Sequence, residues 1–272
     1  MSTEDVGSAA FDLMAVEAGI AATEFAGLVT HFPSVGSTNV LALEAAQAGA
    51  RGGVWVADEQ TAGRGRGGHV WHSVAGDGLY VSVLVAPPLP IATALLLSLA
   101  TGLAAKAAIA EVTGLDCDIR WPNDLMLKGR KCGGILVETA VVAAESDAAA
   151  MLRYAVIGVG LNLNHARFYP ELEQVATSLR RELGERVSRE ALLAALLRAL
   201  DEEIPALSIV RGEEVLRRFA AASSWVRGKR VRVEESGGYT GVTEGLDSRG
   251  FLRVVGDDGV ERTVLSGGVR EI

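Results

Sequence analysis

One run of this chain interleaves glycine with arginine: Gln60-Thr61-Ala62-Gly63-Arg64-Gly65-Arg66-Gly67-Gly68-His69-Val70-Trp71. Glycines let a backbone approach a ligand closely and turn its amides inward. Arg64 and Arg66 supply forked donors that match phosphate or carboxylate oxygens in pairs. Three other readings compete: a solvated turn, a Walker-type phosphate loop, and an arginine/glycine-rich RNA-binding tract. The Walker reading fails because no Gly-Lys-Ser/Thr follows. RNA-binding tracts of this kind are long and repeated, whereas this one is short and lies between two strand-like runs. Between a plain loop and an anionic ligand, the composition favours the ligand.

A second segment reads Arg120-Trp121-Pro122-Asn123-Asp124, followed by Lys128-Gly129-Arg130-Lys131-Cys132-Gly133-Gly134-Ile135-Leu136-Val137-Glu138. It is a strand, a proline-set turn and a basic hairpin leading into a buried strand. Lys131 is then either a solvated hairpin lysine or an ammonium set against a carboxylate and an α-phosphate. In the second role it would neutralise the charge that builds as one oxygen attacks the other group. A third segment, Ile157-Gly158-Val159-Gly160-Leu161-Asn162-Leu163-Asn164, carries the Gly-x-Gly of a nucleotide turn. It lacks the third glycine, the following helix and the downstream acidic residue of a dinucleotide fold.

The elements that must hold these segments can be read from pattern. Ser37-Thr38-Asn39 offers N-cap side chains to an amphipathic helix that stops at Gly49. Residues 54–57 and 79–85 read as strands on either side of the arginine loop, and 91–112 as a long apolar helix stopped at Gly114. Strand-like runs follow at 118–121, 125–127, 134–138 and 154–158, then helices at 188–203 and 213–222. The stretch 142–150 reads as an exposed excursion. After Trp225-Val226-Arg227-Gly228 come short β runs with turn signals at Gly237-Gly238, Arg249-Gly250 and Asp258-Gly259, the texture of a small SH3-like β-barrel. The division is a 1–35 lead-in with a helix around 11–22, a main domain over 36–224 and the barrel over 225–272. The fold class is α+β, a mixed sheet flanked by helices plus that barrel.

Composition narrows the function. The 272 residues are 49% hydrophobic, enough for one sizeable core and a small module. Acidic side chains outnumber basic ones, 34 to 26, for a net charge of −8, so the chain as a whole does not attract nucleic acid. Cys117 and Cys132 fit neither a disulfide framework nor a zinc spacing and read as reduced thiols in the cytoplasm. The N-terminus, with Glu4 and Asp5, lacks the order of a secretory signal. Residues 78–105 hold no charge, yet Pro87, Pro88 and Pro90 cut them into halves too short to cross a bilayer.

In order along the chain, Ser-Thr-Asn, Gly-Arg-Gly-Arg-x-Gly-x-x-Trp, Trp-Pro-Asn-Asp, Lys-x-x-Gly-Ile-Leu-Val-Glu and Gly-x-Gly-x-Asn closely resemble the biotin–protein ligase family. The resemblance runs from about Ser34 to the C-terminus, because that family also ends in a small β-barrel. It implies a class II synthetase-like (biotin–lipoate ligase) fold. It also implies ATP-dependent formation of biotinyl-5'-AMP, release of pyrophosphate and transfer to a lysine of the biotin carboxyl carrier protein of acetyl-CoA carboxylase. Lipoate or octanoate ligation shares this logic, but Trp121-Pro122-Asn123-Asp124 and the Gly-Arg-Gly-Arg loop look like the biotin branch.

The resemblance also implies roles. Ser37, Thr38, Asn39 and Gln60 would hold the biotin rings, with Ser37 also able to serve as a helix N-cap. Arg64, Gly65 and Arg66 would fold over biotin's carboxylate and the adenylate phosphate. Trp71 would pack against adenine, or else be a core tryptophan. Asn123 and Asn162 match adenine or metal–phosphate contacts, and Gly158 and Gly160 would let backbone approach the ligand. Lys131 matches the active-site lysine, and Asp124 a carboxylate that orients or deprotonates the carrier lysine, or else an Asx-turn residue. Magnesium is expected as the ATP counter-ion, with no protein metal site. His69 stands where the family commonly has another arginine, so nucleotide affinity is expected to be lower or pH-dependent. Arg120 replaces a more usual lysine and keeps its charge. A short acidic lead-in before Ser37 leads to the expectation of a monofunctional enzyme without a DNA-binding domain, a monomer or homodimer that engages neither nucleic acid nor membrane.

Overall fold

The computed structural model describes residues 10–142, 150–207, 212–235, 237–266 and 268–272. Seven strands form one sheet: β1 (Val29–Phe32), β2 (Gly53–Ala57), β3 (Gly78–Val85), β4 (Asp118–Arg120), β5 (Asp124–Leu127), β6 (Arg130–Val142) and β7 (Met151–Asn162). Their order is β1-β2-β3-β7-β6-β5-β4. β1 runs parallel to β2 and the other neighbours pair antiparallel, which makes the sheet mixed as expected.

Side chains alternate across β3 and β7. Leu79, Val81, Val83, Ile157, Val159 and Leu161 enter the large core, which includes buried side chains of α3 (Ala94–Thr113) and α5 (Arg189–Glu203). Leu84, Tyr154 and Val156 lie on the opposite face, against Ala42 and Ala46 of α2 (Thr38–Gln47). The charge-free stretch divides as expected, into β3 and α3. Helix α3 is long and apolar enough to cross a membrane, but it is a buried core helix, apolar all round because neighbours cover it on several sides. It ends at Gly114 in the left-handed conformation (φ 70°). Two short helices, α1 (Leu13–Gly19) and α4 (Leu179–Leu183), and α6 (Gly212–Ala222) complete this layer.

Five antiparallel strands form the C-terminal sheet: β8 (Arg227–Val233), β9 (Tyr239–Leu246), β10 (Leu252–Gly256), β11 (Glu261–Val264) and β12 (Val269–Glu271), ordered β11-β10-β9-β8-β12.

Two readings change. The 1–35 stretch is no mere lead-in: β1 pairs with β2, and α1 packs on α5, with Asp12 N donating to Glu190 Oε1 (3.2 Å). Four residues interrupted by Thr30 and His31 were too short a pattern to read as a strand. Gly158 and Gly160 lie not in a turn but in the C-terminal half of β7. The excursion expected over 142–150 falls on 143–149, outside the described residues.

Candidate active site

On the α2 side of the sheet, strand pairing aligns Ser82 with Gly158 and Leu136, and Tyr80 with Gly160 and Gly134. The glycines leave this floor without side chains. A Cβ on Gly158 would sit 2.2 Å from Asn39 Oδ1, and one on Gly160 2.6 Å from Trp71 Cε2. The N-terminus of α2 and the Trp71 ring fill the room so made.

Ser37, Thr38 and Asn39 are almost completely buried there. Ser37 takes the N-cap position but its hydroxyl makes no capping bond. The Gln60 side chain does the capping, with Oε1 accepting from Thr38 N (2.9 Å) and Thr38 Oγ1 (3.1 Å). The Ser82 hydroxyl reaches Asn39 Oδ1 (2.5 Å) and Thr38 Oγ1 (2.8 Å), while Asn39 Nδ2 donates to Glu138 Oε2 (2.9 Å).

The arginine loop folds back on itself. Gly65 N donates to His69 O (2.7 Å) and Trp71 N to Gly63 O (3.0 Å), around a turn in which Gly67 adopts φ 64°. The three expected cations are held in different ways. Arg64 is ion-paired, with Nη2 donating to both oxygens of Glu138 (2.8 and 3.0 Å). Lys131 Nζ lies 2.6 Å from Asp124 Oδ1 and 5.7 Å from the Trp71 ring centroid. Arg66 Nη1 donates to the neutral amide oxygen of Asn123 (3.0 Å), whose own Nδ2 is anchored on Ile135 O (2.9 Å). Burial lowers the Arg66 pKa, opposed by the charges of Asp124 and Glu235. A guanidinium stays protonated even so, which leaves a half-buried cation with a neutral hydrogen-bond partner, a setting that favours an incoming anion.

Asp124 sits behind Lys131. Burial pushes its carboxyl up, but Lys131 and Arg120 outweigh that and hold it below the ordinary carboxylate range. Arg120 Nε donates to Asp124 Oδ2 (3.0 Å), and the Arg120 guanidinium lies over Trp225 at the start of the C-terminal module (5.5 Å to the ring centroid).

Two cavities meet at this point. The narrow one is lined by Ser37, Thr38, Asn39, Gln60, Arg64, Gly65, Arg66, Trp71, Asn123, Lys131, Gly158 and Gly160. A larger one, about 390 Å³, is walled by His72, Asn162, His165, Phe168, Tyr169 and Leu172 among others. Trp71 and Lys131 line both. Trp71 Nε1 is buried and has no hydrogen-bond partner among the described residues. Asn162 Nδ2 donates to Thr177 O (3.1 Å), so that nitrogen serves the fold. Asp124 lines neither cavity, and His69 is exposed on the outside of the loop. Among the described residues no group of three or more His, Cys, Asp or Glu could hold a metal.

Sequence reasoning missed Ser82, a hydroxyl inside an otherwise apolar strand, which was itself a signal. It quoted Glu138 without a role, and it did not read the aromatic wall of His165, Phe168 and Tyr169.

Residues 32–162 match the model of the biotin/lipoate A/B protein ligase family, and 227–269 match that of the biotin protein ligase C-terminal domain. The biotin–[acetyl-CoA-carboxylase] ligase of Mycobacterium tuberculosis is 35% identical over 86% of this chain and 84% of its own length. The chain belongs to the biotin–protein ligase family. Within this family, the bifunctional ligase/repressor BirA of Bacillus subtilis is 32% identical over 76% of this chain; the match spans 62% of that longer relative. Among solved structures, the biotin protein ligase of Aquifex aeolicus in complex with biotin and ATP superposes with a TM-score of 0.76. It is 26% identical, covering 90% of this chain and all of that one.

Proposed function

We propose that the chain activates biotin with ATP to biotinyl-5'-AMP and then transfers the biotinyl group to a lysine of a biotin carrier protein. The observation that carries this is the meeting of two cavities at Lys131 and Trp71, with Arg66 alongside. The narrow cavity, lined by the α2 N-terminus and Gln60, takes the biotin rings, with Gly158 and Gly160 in its floor. The larger one takes the nucleotide, with Trp71 against the base and Asn162 in its wall. Biotin's carboxylate and the α-phosphate then come together beside the ammonium and the guanidinium.

The chemistry follows from that charge arrangement. Two anionic reactants repel each other, and the fixed cations offset the repulsion while holding the attacking oxygen in line with phosphorus. The carboxylate oxygen bonds to the α-phosphorus, the bond to the β-phosphate oxygen breaks, and pyrophosphate leaves. In the second step the neutral carrier amine attacks the acyl carbon, the bond from that carbon to the phosphate oxygen breaks so that AMP departs, and the proton shed by nitrogen passes to water or to the departing phosphate. Because Asp124 is held below the ordinary carboxylate range, it is a weak base; its role is to orient Lys131 from behind. Asn123 keeps Arg66 aimed at the phosphate. Magnesium would arrive with the triphosphate as its counter-ion.

Biotin-dependent exchange of pyrophosphate into ATP tests the first step, and labelling of a carrier domain tests the second. Lys131→Ala should lower the exchange rate by about ten- to a hundredfold, the worth of one charge-assisted hydrogen bond. Lipoate run in place of biotin separates the two acyl branches. Exchange with lipoate but not biotin, or none that depends on either acid, would refute the assignment.

A further inference from the structure

Glu138 stands on the site face of β6, and its carboxylate ties together two walls of the narrow cavity. Oε2 accepts from Asn39 Nδ2, 99 residues away in sequence, and both oxygens accept from Arg64 Nη2. The Asn39 amide is thereby held at both ends, since its Oδ1 receives the Ser82 hydroxyl. Turning it over would set the amide carbonyl against the Glu138 carboxylate, whereas the Ser82 hydroxyl can donate or accept, so Glu138 is the group that fixes which way the amide faces. The same carboxylate fixes Arg64 at the entry of the glycine-rich loop. An exposed Arg–Glu pair alone contributes little, but here the carboxylate is shared with a buried amide, which gives the pair a defined geometry.

Position along the strand separates this carboxylate from the reacting atoms. The Lys131 ammonium lies over Gly134, where an added Cβ would come within 3.3 Å of Nζ. Glu138 is four residues farther along β6, roughly 13 Å at the strand rise per residue.

We infer that Glu138 is a positioning residue for the biotin subsite: it orients the Asn39 amide in the pocket wall and latches the Arg64 end of the loop across the pocket. This rests on the biotin reading of the narrow cavity. Arg64 is then a latch rather than a cation spent on phosphate, and Arg66 and Lys131 remain the charges that meet the reactants. Biotin retention depends on Glu138, while turnover of bound reactants does not.

Three variants of the full chain test this: Glu138→Ala, Glu138→Gln and Arg64→Ala. Glu138→Ala should raise the KM for biotin about tenfold or more, with the KM for ATP and kcat at saturating biotin within about threefold of wild type. Glu138→Gln keeps an acceptor for Asn39 but no charge for Arg64, and should fall between. Arg64→Ala, at a half-exposed side chain, should reproduce the rise even if Glu138→Ala fails to fold. Limited trypsinolysis without ligand gives a second readout, in which Glu138→Ala should speed cleavage after Arg64 and Arg66 about tenfold. An unchanged KM for biotin in Arg64→Ala, or loss of kcat in Glu138→Gln equal to the rise in KM, overturns the proposal. Absence of biotin-dependent exchange in the wild type would instead remove the biotin reading, and the tryptic rates would still decide the latch.

Discussion

Asp124 holds two cations at once, and that makes its contribution to stability pH-dependent in a definite direction. Its folded pKa lies below the unfolded value of about 3.9. The stabilisation is therefore complete above about pH 4 and is lost as pH falls through the folded pKa. Asp124→Asn should cost about 1.5–3 kcal/mol at pH 7, and the gap to wild type should narrow progressively as pH falls below about 4. Urea unfolding at several pH values checks this, and a gap that persists undiminished at pH 3 would show that the charge is not what Asp124 contributes. Arg66 meets a neutral amide in this structure, so Arg66→Gly should free the adenylate and label bystander lysines, which mass spectrometry detects directly. His69 lies on the exposed outside of the same loop and lines neither cavity, so His69→Arg should leave adenylate binding at pH 8 within about twofold of wild type, as measured by calorimetry. That most of the expected residues would gather around one cavity was legible, because glycine, arginine, lysine and asparagine at these spacings have few other uses together. Glu138 was not, because its partner Asn39 lies on another element and no spacing connects them. Nor was the division of labour among the cations: Arg64 and Arg66 look alike in sequence and differ only in which side chain the fold puts opposite each.

The strands carry a different kind of information. β3, β6 and β7 alternate between a filled face and a face emptied by Gly134, Gly158 and Gly160. That geometry separates the two halves of the site. Gly158→Ala drives a methyl into the Asn39 amide at 2.2 Å, whereas Gly160→Ala drives one into the Trp71 ring at 2.6 Å. The first should raise the KM for biotin and the second the KM for ATP, each about tenfold, in line with overpacking costs of about 1–3 kcal/mol. A matched rise in both constants for either variant would mean that the floor acts as one unit. Sequence pattern found β3, α3 and α5 because their apolar runs are long, with Ser188 capping α5 through a bond from Ala191 N. It missed β1, α4 and β12, each of three to five residues, too short to complete a period. It read a strand over 154–158 but ended it at Gly158, where β7 runs on to Asn162, because a glycine chosen for the absence of a side chain looks, in sequence, like one chosen for its backbone freedom.

The C-terminal module was evident from its glycine-spaced β runs, but its grip on the main domain was not. Trp121 Nε1 donates to Gly250 O (2.9 Å) across 129 residues. Gly250, at φ 90°, lies so close to Leu99 and Leu96 of α3 that a Cβ there would come within 2.9 Å of Leu99 Cδ1. On the same side, Arg120 and Lys229 both lie over the Trp225 ring. The barrel is thus docked on the strand that carries Arg120 and on the turn that carries Asn123 and Asp124. A unit boundary near residue 225 is a boundary of texture, and we propose that it is not one of stability. Trp121→Phe leaves the Gly250 carbonyl without its donor at a cost of about 1–2 kcal/mol, a few degrees of Tm in a chain of this size. If docking makes the two sheets one cooperative unit, calorimetry should show a single transition in wild type and in the variant, shifted down together. Activity should fall alongside, because the displaced turn carries the partner of Arg66. Two resolved transitions in the wild type would show that the barrel folds on its own, and the site would then owe its geometry to the main sheet alone.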